Sequence, residues 1–221
     1  MNRLHRLVTT AVLALLPGLM LASPAAAKPV QDKDYKLVEP AQPQASTVKG
    51  VEVLEFFNYA CPHCYEFEPH LRAWLKNKPK NADFRYVPAV FNDRMIPLAM
   101  IFYTLDEMNL LDKLHDKVYY AIHQQQVNLT DRATILKWMG EQGVDVKKFE
   151  ATFDSFSINS KVQRARKMTR DYRIPGTPYL VVGGRYMTGP SMSVGSNNAV
   201  DYVRFEQILN ELIDMSKGGA R

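Results

Sequence analysis

Outside Cys61 and Cys64 the 221-residue chain has no cysteine. That scarcity argues against a disulfide-stapled scaffold and confines thiol chemistry to one segment, Cys61-Pro62-His63-Cys64. No cysteine follows the apolar stretch near the N-terminus either, so a lipid anchor has no attachment point there. Long hydrophobic runs are missing as well. Leu7 to Ala22 is largely apolar, but Pro17-Gly18 interrupts it and it falls short of the roughly 20 residues that cross a bilayer. The chain has no internal repeat and no low-complexity tract, and its formal charge of +5 is too mild to point to nucleic acid.

What stands at the N-terminus instead is an export signal. Arg3, His5 and Arg6 precede the apolar stretch, and Ala25-Ala26-Ala27 supplies the small residues that signal peptidase reads, so residues 1–27 are expected to be removed after Ala27. Removal takes away Arg3 and Arg6 and no acid, lowering the formal charge from +5 to +3. The mature chain is expected to be soluble and exported, in a compartment that permits disulfides. A purely structural bridge is expected to close a longer loop than the tight pair at 61 and 64.

After a Pro- and Gln-containing lead-in (28–49), with Tyr35 to Val38 as a short edge strand, Val51 to Phe57 reads as a buried central strand. Tyr65 to Lys76 has helical apolar spacing, Pro79 ends it, and Phe84 to Pro88 alternates as a second strand. From about 93 to 172 the pattern becomes helical throughout, with helices expected at 97–108, 112–123, 131–142, 145–155 and 159–172. Strand character resumes at Tyr179 to Val182, turns through Gly183-Gly184, continues at Arg185 to Met187, and a last helix runs from about 200 to 215. The order β-α-β, helical block, β-β-α predicts an α/β fold in which 28–92 and 173–221 form one unit and 93–172 is an inserted helical domain.

A thiolate, and not a thiol, attacks a disulfide. Cys61 at a helix start lies near unpaired backbone N–H groups and the positive end of the helix dipole, both of which favour the anion. Pro62 suits the first helical position, and His63 is expected to add a donor or partial positive charge beside the sulfur. Cys64, one turn deeper, is expected to be shielded and able to attack a mixed disulfide on Cys61. Stabilising the Cys61 anion stabilises the reduced form, which makes the disulfide an oxidant. Far downstream, Thr177-Pro178 at a strand start is a candidate cis bond.

These residues carry a resemblance. Leu54-Glu55-Phe56-Phe57 before Cys61-Pro62-His63-Cys64-Tyr65, with Phe67-Glu68 after it and Gly176-Thr177-Pro178 downstream, resembles the DsbA family across the whole mature chain. That family comprises periplasmic thiol:disulfide oxidoreductases with a thioredoxin fold and an inserted helical domain. The resemblance implies that Cys61 is the nucleophile, that Cys64 resolves, and that Pro178 is a cis-proline facing them. It also implies that Gly176, Thr177 and Pro178 line the substrate site, where backbone groups of Thr177 would pair with an extended segment. Glu55 sits where the family has a buried acid able to relay a proton to or from Cys64, and Glu68 where it has a second charged group. The family's basic partner on the second strand is left unassigned, with Arg85 and Tyr86 the local candidates. The implied cofactor is none beyond the Cys61–Cys64 disulfide. The implied partners are newly exported cysteine-containing proteins and a quinone-linked membrane oxidase of the DsbB type, and the protein is expected to act as a monomer in the periplasm.

Other readings were weighed against this one. A disulfide isomerase or reductase fits less well, because 28–49 is too short for a dimerisation domain. A chaperone-like peptide-binding module would need the helical domain to hold clients, with redox secondary. A zinc site using His63 and His70 is disfavoured because His63, between the cysteines, points poorly for sharing one ion with both. Glu55, flanked by Leu54 and Phe56, is expected to be buried. His115 and His123 are expected to be ordinary helix residues. The basic run Lys161, Arg164, Arg166, Lys167, Arg170 and Arg173 is expected to be a solvated face. Asn128-Leu129-Thr130 matches a glycosylation acceptor, a common chance pattern.

Overall fold

Seven residues, Val51–Phe57, form β2, and all seven are buried. Period-2 geometry sends alternate side chains to opposite faces. Val51 and Val53 join one apolar cluster with Phe67, Leu71 and Trp74, while Leu54 and Phe56 join another with Ala165 and Tyr172. Glu55 belongs to the first face, one step from Val53. The computed structural model describes residues 28–45, 47 and 49–217, and the expected export segment 1–27 lies outside them.

Strand β2 is parallel to β3 (Ala82–Pro88) and antiparallel to β4 (Tyr179–Val182). Beyond β4 come β5 (Tyr186–Thr188) and the two-residue edge strand β1 (Lys36–Leu37), giving the order β1-β5-β4-β2-β3. Helix α1 (Pro62–Asn77) and the C-terminal α7 (Tyr202–Lys217) cover one face, with Phe205, Ile208, Leu209, Leu212 and Ile213 packed there. Between β3 and β4 the chain forms only helices: α2 (Ile96–Glu107), α3 (Leu111–His123), α4 (Arg132–Glu141), α5 (Val146–Phe153) and α6 (Phe156–Asp171), preceded by a 3-10 turn at Asp93–Met95. One apolar cluster joins Phe57, Tyr59 and Cys64 to residues of α2 through α5, so the inserted helices and the cysteine helix share a core. This is the thioredoxin-type α/β arrangement with a helical insertion that the sequence predicts.

Several boundaries differ from the sequence reading, among them the start of β3 at Ala82 and not Phe84. Helix α5 stops at Phe153 and α6 starts at Phe156, three residues early, because Ser155 Oγ accepts from the Ile158 N–H at 3.2 Å and caps a new helix. The β4–β5 link has three residues. Val182 pairs with Tyr186, so Arg185 belongs to the turn while Gly183 and Gly184 take positive φ. Helix α1 starts at Pro62, the first helical position expected for it, with Cys61 as the N-cap and Cys64 in the first turn.

Candidate active site around Cys61 and Cys64

Strand β2 ends at Phe57, and the next four residues turn the chain into α1. Asn58 Oδ1 accepts from the Ala60 N–H at 2.8 Å, Asn58 O accepts from the Cys61 N–H at 3.0 Å, and the Asn58 amide reaches Ala89 O at 3.4 Å. The loop is thereby fixed to the exit of β3, where the Ala89 N–H also donates to Phe57 O at 2.7 Å. Cys61 is the helix N-cap, Pro62 is the first helical residue, and the Cys61 carbonyl accepts the first helical bonds from Cys64 and Tyr65. Both cysteines are free thiols.

The two sulfurs meet opposite environments. Cys61 is half-buried, and its pKa falls to about 5. Donation from the Cys64 thiol acts most strongly, burial opposes it, and the backbone N–H groups of Cys64 and His63 add to it. The thiol form donates to the Thr177 carbonyl at 3.2 Å. That carbonyl has no proton to give, so this bond belongs to the thiol and not to the anion. Cys64 is 1 % exposed, and burial, then its bond to Cys61, then the charge of Glu55 push its pKa far up.

Thr177-Pro178 is a cis peptide, as expected, and enters β4 directly beside Cys61. His63 contributes differently from the expectation. Its ring is 75 % exposed and faces Glu66 Oε2 at 3.2 Å, so its part in holding the sulfur's charge is a backbone N–H. His70 stacks on Tyr202 with ring centroids 3.5 Å apart, away from any shared ion geometry with His63.

Beneath the sulfurs lies a buried polar floor. Glu55 is 1 % exposed and its Oε2 has no hydrogen-bond partner. Burial, then the like charges of Glu68 and Cys61, raise its pKa well above the carboxylate range, which favours the protonated acid. Glu68, one turn past Cys64 and also buried, receives Tyr86 Oη at 3.0 Å and Arg72 Nε at 2.9 Å, and Arg72 continues to Asp116 at 2.9 Å. The cation nearest this floor is Arg72, four residues after Glu68 on α1, and it pairs with Glu68 and not with Glu55. Tyr86 of β3 serves as a neutral donor, its phenol pKa raised by burial and then by the charge of Glu68. Arg85 points elsewhere, to Asp83 and Thr47.

Sequence reasoning missed the histidines. His115, 2 % exposed on α3, shares a 2.7 Å hydrogen bond between Nδ1 and the Tyr59 hydroxyl. Its Nε2 stands 3.5 Å from Glu68 Oε2, outside hydrogen-bond geometry. His123 Nε2 meets Tyr59 O at 2.8 Å and its ring stacks on Tyr65 at 5.0 Å. The available signal was the spacing of His115, Tyr119 and His123, which puts all three on one helix face.

The chain is also similar to known proteins over most of its length. A model described as DSBA-like thioredoxin domain matches residues 95–204. The thiol:disulfide interchange protein DsbA of Burkholderia cepacia is 40 % identical over 190 residues, 85 % of this chain and 89 % of that protein. The DsbA of Pseudomonas syringae pv. tomato is 32 % identical over 197 residues, 89 % of each. The crystal structure of Pseudomonas aeruginosa DsbA superposes with a TM-score of 0.78 at 28 % identity, covering 86 % of this chain and 96 % of that one.

Proposed function

The chain belongs to the DsbA family of thiol:disulfide interchange proteins, and on that footing we propose how its residues divide the work. It is a thiol:disulfide oxidoreductase that donates disulfides to exported proteins, and its own cysteine pair takes the place of a cofactor. In the oxidised enzyme Cys61 and Cys64 share the S–S bond. A client thiolate attacks Cys61 Sγ, a client–Cys61 bond forms, the Cys61–Cys64 bond breaks, and its electron pair leaves on Cys64 Sγ. Buried Cys64 takes up a proton, and Glu55 is the proposed donor, a role its burial in protonated form supports. A second client thiolate then attacks the client sulfur of the mixed disulfide and Cys61 leaves as a thiolate. The client loses two electrons and the enzyme gains them.

The observation that carries this reading is the asymmetry of the pair: a half-buried Cys61 with a pKa near 5 beside a buried Cys64 whose thiol holds its proton. The first is a good leaving group, which favours release of the client and the reduced enzyme, and the second takes up a proton as it leaves. Pro62 at the helix start and the His63 backbone support the Cys61 anion. Gly176, Thr177 and cis Pro178 form the segment against which an extended client would pair.

Residues 28–92 and 173–221 act as the thioredoxin-like unit and 93–172 as the inserted helical domain. The proposed export signal is 1–27, cleaved after Ala27, which sends the protein to the periplasm; among the described residues no helix is long and apolar enough to cross a membrane. Its partners are cysteine-bearing client proteins and a membrane oxidase that restores the disulfide, for which a quinone-linked DsbB-type protein is the proposed identity. The test is oxidation of a reduced two-cysteine peptide by the oxidised protein and by Cys61→Ser and Cys64→Ser. Cys61→Ser should fall to the uncatalysed rate, and Cys64→Ser carrying glutathione in disulfide linkage on Cys61 should exchange it with a one-cysteine client peptide, releasing glutathione and keeping a client–Cys61 disulfide. Undiminished oxidation by Cys61→Ser would overturn the reading.

A further inference from the structure

The basic run at the end of α6 is only partly the solvated face expected of it. Lys161 pairs with Glu107, Lys167 with Asp171, and Arg166 with Asp93 at 2.8 Å. Arg170 and Arg173 are exposed and form no ion pair among the described residues. With Arg166 they line a groove of about 410 Å³, whose remaining walls are Val90, Phe91, Thr169 and Ile174. Phe91 is 41 % exposed, a large apolar side chain at the open side of a cationic groove.

The groove's position makes it more than a surface feature. Ile174 is three residues before Thr177, so by chain length its Cα lies within about 11 Å of the residue whose carbonyl reaches Cys61. On the opposite wall, Val90 follows Ala89, which is bonded to Phe57 O and Asn58 of the loop that carries Cys61. Thr169 Oγ1 accepts from the Val90 N–H at 3.2 Å and ties the two walls together. Arg173 occupies the positive-φ position that glycine usually fills after a helix, with φ of 50°, and so sits on the turn leading straight into the Thr177 segment.

We propose that this groove receives the chain flanking a client's reacting cysteine and favours flanks that carry Asp or Glu beside an apolar residue. The cationic charge of Arg170 and Arg173 complements the acid, and Phe91 the apolar neighbour. A client strand paired along Thr177 reaches Ile174 within about three residues, which sets where the acid should stand. The inference rests on the reading of Thr177 as the client-pairing segment.

The test uses two reduced dithiol peptides that differ only in having Glu or Gln two to four residues from the reacting cysteine, made with the change on either flank. The wild-type protein should oxidise one Glu peptide about fivefold faster in kcat/KM at low salt, with the advantage fading at high salt. Arg170→Gln/Arg173→Gln should abolish the preference and Arg170→Lys/Arg173→Lys should keep most of it, while the glutathione equilibrium of each variant reports an intact cysteine pair. Equal wild-type rates on Glu and Gln peptides would overturn the proposal and leave the oxidase reading standing, since the arginines would then only complement the helix C-terminus. A preference that persists in the Gln variant would overturn it too. Failure of the wild-type protein to oxidise any of the peptides would instead count against the proposed function.

Discussion

The mouth of the active site and its floor lie about one helical turn apart, yet they hold charge in opposite ways. At the mouth, Cys61 sits among donors and solvent, and its anion is favoured. At the floor, one helical turn deeper, Cys64 and Glu55 are surrounded by Phe57, Tyr59 and Tyr119, and burial favours their protonated forms. The lesson is that a Cys-x-x-Cys spacing sets no chemistry by itself. The first cysteine's position at an unsatisfied helix start, and the second's inside a closed core, decide which sulfur carries the negative charge.

The largest expected effect compares the sulfurs directly. In Cys64→Ser the alkylation rate of Cys61 should titrate with a midpoint near pH 5, whereas Cys64 in Cys61→Ser should stay almost unreactive at pH 7. An ordinary thiol with a pKa of about 8.5 is only about 3 % ionised at pH 7, so the anion fraction of Cys61 exceeds that reference by about 30-fold. Cys64 should fall below the reference. Similar rates for the two cysteines would erase the contrast. Because Cys64 donates to Cys61, its replacement by Ser, also a donor, is the proper background; Cys64→Ala should move the midpoint upward.

The second test is a slope. A group whose pKa falls on folding loses its proton in the native state first, so stability of the reduced protein rises with pH through that window. For Cys61 the window runs from about 5 up to the ordinary thiol value. Glu55 has the reverse sign: its contribution is full below the ordinary carboxylate value of 4.5 and is lost as pH rises through its elevated folded pKa. Glu55→Gln removes this loss, so urea midpoints should climb more steeply from pH 5 to pH 8 than in wild type. The difference at pH 8 should be on the order of 1–3 kcal/mol, the usual scale for a buried polar group without a partner. Parallel slopes would place Glu55 outside the buried floor.

A third substitution probes how the floor is supported. His115→Leu leaves the Tyr59 hydroxyl buried without its 2.7 Å partner and should cost about 1–3 kcal/mol in chemical denaturation. Adding Tyr59→Phe should recover part of that loss, because the orphaned group is then gone. The smallest effect is expected from Tyr86→Phe, which removes one of two donors to Glu68 Oε1 and should cost about 1 kcal/mol. If Tyr86→Phe moves the Cys61 midpoint as much as Cys64→Ala does, mouth and floor are one electrostatic unit and the division drawn between them fails.

The mouth was almost fully legible in the sequence, and the floor was not. Val51 to Phe57, Pro62 after Cys61, and Thr177-Pro178 before a strand are local signals whose consequences appear within a few residues. Glu55 was legible too, since an acid between Leu54 and Phe56 in a largely apolar central strand is directed inward. Glu68 and Arg72 form an i, i+4 pair that spacing alone could have offered. The second strand supplies Tyr86, a neutral donor, and no cation to this floor. His115 could not be placed because it enters the site from α3, and its depth depends on how the inserted helices lie against α1. Ser155 shows the same limit on a smaller scale: a cap splits α5 from α6 where periodicity alone ran one helix too far.

The order of the sheet has a consequence for company as well as for catalysis. A protein that handles unfolded chains risks being used as a template by them, because open strand edges recruit extended backbone. Here one edge is β1, only two residues long, and the other is β3, which carries Asp83 and Arg85 and closes on Pro88. Neither offers an aggregating chain a lengthy apolar seam. Under the proposed function, the backbone left for a visitor is the short stretch before Pro178, where a visit ends in bond exchange and departure. The enzyme can therefore be promiscuous toward sticky clients without becoming one of them.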